Sequence, residues 1–190
     1  AGYDAPASAP ALYRVELSSG AMQALTNACA AALDQVPFVT PEHVRYVSGD
    51  GWDIPALLYT PPGGLEDARG RPAIVYPHGG PNVHYDLAWD PVRQYFVAKG
   101  YAVICPNCRG STGYGRYFKE GNINAWGVGD LADCLSAADF LAGDSRIDRA
   151  RVAIWGQSYG GYLTQLALLK DSRYRFKCGV CLFGDSRLKT

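Results

Sequence analysis

Gly156-Gln157-Ser158-Tyr159-Gly160 sets one hydroxyl between two glycines. The apolar run Arg151-Val152-Ala153-Ile154-Trp155 precedes it, and Tyr162, Leu163, Leu166 and Leu169 follow at helical spacing. A serine at so sharp a strand-to-helix turn projects its hydroxyl into the open. Gly156 and Gly160 are needed because the turn is strained and neighbouring backbone passes close by. The N-terminus of the following helix, with the Tyr159 N–H, faces the place where negative charge would develop. The chemistry this suits is acyl transfer, with Ser158 as nucleophile. With 22 Gly and 10 Ser in 190 residues, such a pentapeptide has on the order of a 10% chance of arising somewhere in the chain, glycine being above its usual share. The alternative is a Gly-rich packing turn, so the strand before and the helix after carry the reading.

Tyr76-Pro77-His78-Gly79-Gly80-Pro81 follows a second buried run, Ala73 to Tyr76. A His-Gly-Gly loop in this place supplies a second oxyanion amide, and the backbone N–H of Gly80 is assigned that part. His78 invites a reading as general base. The order Ser, acid, His along such chains argues against it, and His78 is read as organising its loop. His84 is placed near the mouth of the site, and His43 at the start of an edge strand. Cys105 and Cys108, with Cys178 and Cys181, form two CxxC pairs, a spacing that suggests zinc. Side chains three apart in a strand point to opposite faces, so core packing is preferred. No metal and no cofactor are expected. The six cysteines, Cys29 and Cys134 included, are read mostly as reduced, buried small hydrophobes.

The elements that must position these groups follow from the pattern. Residues 1–11 look loose. Leu12–Leu17 alternates, Ser18-Ser19-Gly20 turns, and Ala21–Thr26 returns, making a hairpin. His43–Val47 and Ile54–Tyr59 read as antiparallel edge strands, because Pro55 is tolerated only at an edge. Ala73–Tyr76, Tyr101–Cys105, Arg151–Trp155 and Cys178–Phe183 read as strands buried on both faces. Between them lie helices over Pro91–Lys99, stopped by Gly100, and from Leu131 to Ala142, stopped by Gly143. Strands alternating with helices give an α/β class, a mostly parallel sheet with helices on both faces. The Cys178–Phe183 strand would be a bare apolar edge, so the chain alone is expected to aggregate or to need a partner segment.

Composition bounds the function classes. Lys+Arg 18 against Asp+Glu 18 gives a net charge of +0, without the basic excess of a nucleic-acid binder. The apolar runs are too short to span a bilayer, so neither nucleic acid nor membrane is an expected partner. AGYDAPASAP shows no signal-peptide pattern, and a cytoplasmic location is expected. The chain opens on Ala1, so the numbering is taken to start inside a longer product.

Four stretches together carry a resemblance: His78-Gly79-Gly80-Pro81; Arg109-Gly110-Ser111-Thr112-Gly113-Tyr114-Gly115; Trp126-Gly127 with Asp130 and Asp133; and Gly156-Gln157-Ser158-Tyr159-Gly160-Gly161-Tyr162. From about Pro41 to Phe183 the chain resembles the prolyl oligopeptidase family of serine peptidases, nearest its acylaminoacyl-peptidase and dipeptidyl-peptidase-like branches. Gln157 departs from the aromatic or small residue of many members. The resemblance implies an α/β-hydrolase catalytic domain, of which residues 41–190 would be the N-terminal part. It implies a β-propeller ahead of it, with residues 1–40 as remnant and linker and the Leu12–Thr26 hairpin resembling its last blade. It also implies loop-anchoring and helix-start roles for Arg109, Trp126, Asp130 and Asp133.

The family places its triad acid after the next strand and its His after the strand beyond. No His follows His84, and Asp171 and Asp185 do not fit the acid position. The expectation is therefore a serine-type peptidase that hydrolyses short peptides through an acyl-enzyme on Ser158. Gly80 and Tyr159 amides would form the oxyanion hole, and the triad Asp and His would lie beyond this chain. A serine without its base is a poor nucleophile, so the 190 residues alone are expected to be inactive or nearly so. The rival readings are a carboxylesterase on the same fold and a non-catalytic truncated interaction module.

Overall fold

The computed structural model describes residues 1–27, 36–63 and 70–186. The expectation placed on Cys29 lies outside them. Strands β1 (Gly2–Ala5), β2 (Ser8–Val15) and β3 (Met22–Ala24) form an antiparallel sheet in that order. The predicted hairpin is present, with Tyr13 opposite Ala24 and Val15 opposite Met22. The segment before it is not loose: β1 pairs with β2, Gly2 opposite Leu12. Its Ala- and Pro-rich composition hides the strand, because a ladder is made by backbone groups and strand propensity is a weak guide. This sheet meets the rest of the chain where Trp89 N–H donates to Asp4 (3.0 Å) and the Gln94 side chain donates to the Pro6 carbonyl (2.7 Å).

The second sheet has six strands: β4 (Glu42–Val47), β5 (Asp53–Tyr59), β6 (Arg71–Val75), β7 (Ala102–Pro106), β8 (Ile147–Gln157) and β9 (Cys178–Leu182). Their spatial order is β4-β5-β7-β6-β8-β9. The pairs β7/β6, β6/β8 and β8/β9 are parallel, and β4 and β5 are antiparallel additions at one side. Helices α1 (Pro91–Ala98), α2 (Arg116–Glu120), α3 (Gly129–Ala142) and α4 (Tyr159–Lys170) complete the described elements. Leu131, Cys134 and Leu141 of α3 and Leu163 and Ala167 of α4 pack on one face, against Val75, Ile104, Val152 and Ile154. Val97 of α1 packs on the other, against Leu57, Tyr59, Ile74 and Val103. Both faces of the central strands are covered, which is why they read as unbroken apolar runs.

Three expectations are corrected. Pro55 is not on an edge strand, since β5 lies between β4 and β7. Its carbonyl accepts from the Asn107 N–H (2.9 Å), and in a strand a residue's nitrogen faces the same side as its carbonyl. The missing donor therefore faces the end of β7, where pairing begins only at Ala56–Pro106. The strand at Cys178–Phe183 is the sheet edge, as expected, but it is not buried on both faces: Val180 is 48% and Phe183 76% exposed. Cys178 is exposed with it, whereas Cys105, Cys108 and Cys134 are buried as expected. Apolar composition signals a strand but not how many neighbours it has. Helix α2 is new, being too short to show a 3.6-residue period.

Candidate active site

Ser158 joins β8 to α4 with φ 53° and ψ −124°. A side chain in that region costs about 1–3 kcal/mol and persists only where its surroundings hold it. Its N–H donates to the Leu182 carbonyl (3.0 Å) and its carbonyl accepts from Tyr162 N–H (3.0 Å), so both neighbouring elements grip the turn. The side chain stands exposed. A β-carbon on Gly156 would drive into the Gly160 carbonyl and come 2.9 Å from Thr164 Oγ1. One on Gly160 would drive into the Pro77 carbonyl and come within 3.0 Å of the His78 oxygen. One glycine lets β8 meet α4, and the other lets α4 pass beneath the His78 loop.

That loop runs alongside the serine. A β-carbon on Gly79 would lie 3.6 Å from Ser158 Cβ and 4.0 Å from its Oγ. Gly80 has φ +116°, a left-handed value that a side chain would strain. The N–H of Tyr159, first in α4, and that of Gly80 are paired with no acceptor among the described residues. His78 is buried: Nδ1 lies 2.7 Å from the Gly79 carbonyl oxygen and Nε2 lies 2.8 Å from Ser111 Oγ. Burial pulls its pKa below the usual 6.5, against the pull of the Gly79 hydrogen bond. Its ring meets Tyr85 edge to face at 5.3 Å. Asn107 holds Tyr85 by both backbone groups, accepting from its N–H (2.7 Å) and donating to its carbonyl (3.1 Å).

Beneath the turn lies a polar cluster. Asp130 accepts from the N–H groups of Gly127 (2.8 Å) and Leu131 (2.9 Å) and from the Tyr159 hydroxyl. Trp126 packs edge-on against the Tyr159 ring. Arg109 binds Asp133 through its guanidinium (2.6 Å) and its backbone N–H (2.8 Å), reaches Asp50, and lies 4.9 Å over the Trp52 ring. Burial pushes the carboxyls of Asp130 and Asp133 up, while Tyr159 and Arg109, respectively, pull them down. These contacts are the loop-anchoring kind that the resemblance implies for Arg109, Trp126, Asp130 and Asp133. Sequence reasoning missed Asn107 and Ser111, whose partners lie 22 and 33 residues away.

The structure does not bring a general base to Ser158. Its Oγ makes no hydrogen bond among the described residues, and both His78 ring nitrogens are engaged. His84 is exposed and bonded to Thr112 (3.0 Å). Asp171 is bound to Arg175. Among the described residues no three His, Cys, Asp or Glu side chains are grouped to hold a metal ion. The two CxxC pairs stay apart, Cys105 on β7 with Cys108 in the loop after it, and Cys178 and Cys181 on β9 beyond β6 and β8, and Cys108 instead meets Cys134 at 3.6 Å. No described helix is long and apolar enough to cross a membrane.

A mixed sheet with helices on both faces, and a strained serine between its strand and the next helix, define an α/β-hydrolase domain. The model of the prolyl oligopeptidase family matches residues 88–187, and the chain belongs to that family. It is 31% identical over 185 residues to dipeptidyl aminopeptidase BIII of Pseudoxanthomonas mexicana, covering 94% of this chain and 26% of that protein. It is 35% identical over 126 residues to the acylamino-acid-releasing enzyme of Sus scrofa, covering 65% of this chain and 16% of that one. Among solved structures it superposes on a puromycin-hydrolysing peptidase of Mycobacterium tuberculosis with a TM-score of 0.87 and 30% identity, covering 99% of this chain and 29% of that one. The chain thus spans about a sixth to under a third of the length of these relatives.

Proposed function

We propose that the chain carries the nucleophile and oxyanion hole of a serine peptidase acting on short peptides. The observation that supports this most is the backbone of Ser158: a left-handed serine, exposed, wedged between two glycines that tolerate no β-carbon, beside two amides without an acceptor among the described residues. In this reading Ser158 Oγ attacks a peptide carbonyl carbon, and the Gly80 and Tyr159 amides stabilise the oxyanion. The amine leaves with a proton, and water then releases the acyl group from Ser158. Proton transfer needs a base and its orienting acid. The described residues offer Ser158 neither, and the strand order that the family resemblance implies assigns both to residues beyond Thr190. Residues 41–190 are then the N-terminal part of the catalytic domain, and 1–40 the remnant of a propeller and its linker. That the named relatives are peptidases supports the amide-cleaving assignment.

The test is labelling with a fluorophosphonate. The full-length protein labels stoichiometrically, Ser158→Ala does not, and the 190 residues alone label slowly or not at all. Equal labelling of the Ser158→Ala protein would end the assignment. Turnover of p-nitrophenyl acyl esters without cleavage of any peptide amide would point to a carboxylesterase instead.

A further inference from the structure

The peptide group between Gly79 and Gly80 is held at one end only. In a trans peptide the carbonyl of one residue and the N–H of the next point opposite ways. The Gly79 carbonyl oxygen lies 2.7 Å from His78 Nδ1. A carbonyl only accepts, so Nδ1 carries a hydrogen and donates it. The other end of that peptide, the Gly80 N–H, has no acceptor among the described residues. Gly79 itself runs alongside Ser158.

From this we infer that His78 is a positioning residue of the oxyanion hole. By holding the Gly79 carbonyl with Nδ1–H, it turns the Gly80 N–H toward Ser158. This rests on the reading of Ser158 and Gly80 given above. The imidazole is well placed to act as a fixed post. It is buried, its Nε2 is tied to Ser111 Oγ (2.8 Å), and that hydroxyl lies 2.6 Å from the Cys108 carbonyl. The Tyr85 ring closes against its edge. Gly80 needs such a post because a left-handed glycine whose amide has no acceptor among the described residues gains no restraint from it. Rotation of the Gly79–Gly80 peptide would swing the amide away and present a carbonyl oxygen to a developing negative charge.

Two substitutions separate the ring nitrogens. The amide nitrogen of asparagine reaches where Nδ1 stands, and that of glutamine reaches where Nε2 stands. In the full-length protein, His78→Gln and His78→Leu lower kcat on a peptide amide by about a hundredfold, the worth of one oxyanion donor, with KM within about threefold. His78→Asn recovers most of that loss. A purely structural role would lower stability in all three without this split between kcat and KM and without rescue by Asn. Wild-type kcat in a folded His78→Leu protein overturns the proposal, as does equal loss in the Asn and Gln variants. If the variants do not fold, nitrogen NMR of the unaltered protein decides. A His78 ring with its hydrogen on Nδ1, alone or together with Nε2, supports the proposal; one with hydrogen on Nε2 only overturns it. Full activity in Ser158→Ala would fell the underlying reading, and this one with it. A dead Ser158→Ala beside an undiminished His78→Leu fells this one alone.

Discussion

The Tyr159 hydroxyl donates to the carboxylate of Asp130, 29 residues earlier in the chain. Tyr159 therefore has two ends with two roles. Its backbone N–H opens α4 beside Ser158, and its phenol is anchored in the polar cluster below. Asp130 uses its other oxygen to accept from Gly127 and Leu131 at the start of α3. One carboxylate thus ties the first turn of α3 to the first turn of α4, and the turn that carries Ser158 rests on that tie. Burial and the nearby carboxylate raise the Tyr159 pKa, which keeps the phenol a donor.

Tyr159→Phe removes that donor and leaves a buried carboxylate oxygen short of a partner. The expected cost is about 2 kcal/mol, the range for a hydrogen bond to a charged group. Chemical denaturation of the two proteins measures it. Because the ring still packs on Trp126, labelling of Ser158 should slow by less than the loss seen on removing an oxyanion donor.

The glycines of the turn give a contrast within one experiment. Gly156→Ala and Gly160→Ala each push a methyl into a backbone carbonyl, which cannot yield as a side-chain tip would. Each is expected to destabilise by about 3 kcal/mol and to abolish labelling of Ser158. Gly143 ends α3 with φ −84°, and a methyl added there would meet nothing closer than 3.4 Å. Gly143→Ala should stabilise by about 0.5 kcal/mol through the unfolded state. Melting temperatures of the three variants check the order.

This division also shows what the sequence could and could not disclose. The strands β5 to β8 were legible because covered faces demand apolar runs and turns demand glycine. The Ser158 turn was legible because its constraints are local: five consecutive residues satisfy them. The tie from Tyr159 to Asp130 and the Asn107 brace on Tyr85 were not, because each joins residues more than twenty apart through polar groups that have no periodicity. Pro55 misled for a related reason. The sequence shows a missing donor but not which side of the strand it faces, and here it faces the end of β7. Strand β1 escaped because its pairing is made by backbone alone, and β9 shows that an apolar run need not be covered on both faces.

Arg109 and Asp133 form a buried pair, and removing one partner strands the other. Arg109→Ala is expected to destabilise by about 3–5 kcal/mol, chiefly from the uncompensated Asp133 carboxylate. Arg109→Lys should recover little, since an ammonium cannot bridge Asp133 and Asp50 as the planar guanidinium does. Replacing both Arg109 and Asp133 with leucine should cost less than the sum of the single changes. A double-mutant cycle reads this, and strict additivity would mean that the two charges do not support each other.

Acid should weaken the fold through His78. Burial holds His78 below its usual 6.5, His84 in the same loop adds to the depression, and the Gly79 hydrogen bond opposes both. Asp130 and Arg109 border the same small space from α3 and from the loop after β7. Between 6.5 and the depressed value the unfolded chain binds a proton at this position that the folded chain does not. Stability then rises with pH across that window and falls as pH drops through it. Above about pH 7 both forms are neutral and the contribution is complete. His78→Asn has no proton to take up, so the stability of the unaltered protein minus that of the variant should be flat from about pH 7 to 8 and decline below 6.5. Denaturation of both proteins from pH 5 to 8 supplies the difference. A difference that stays level through the acid range would show that His78 takes up its proton as readily folded as unfolded, contrary to the cost of charging a buried ring.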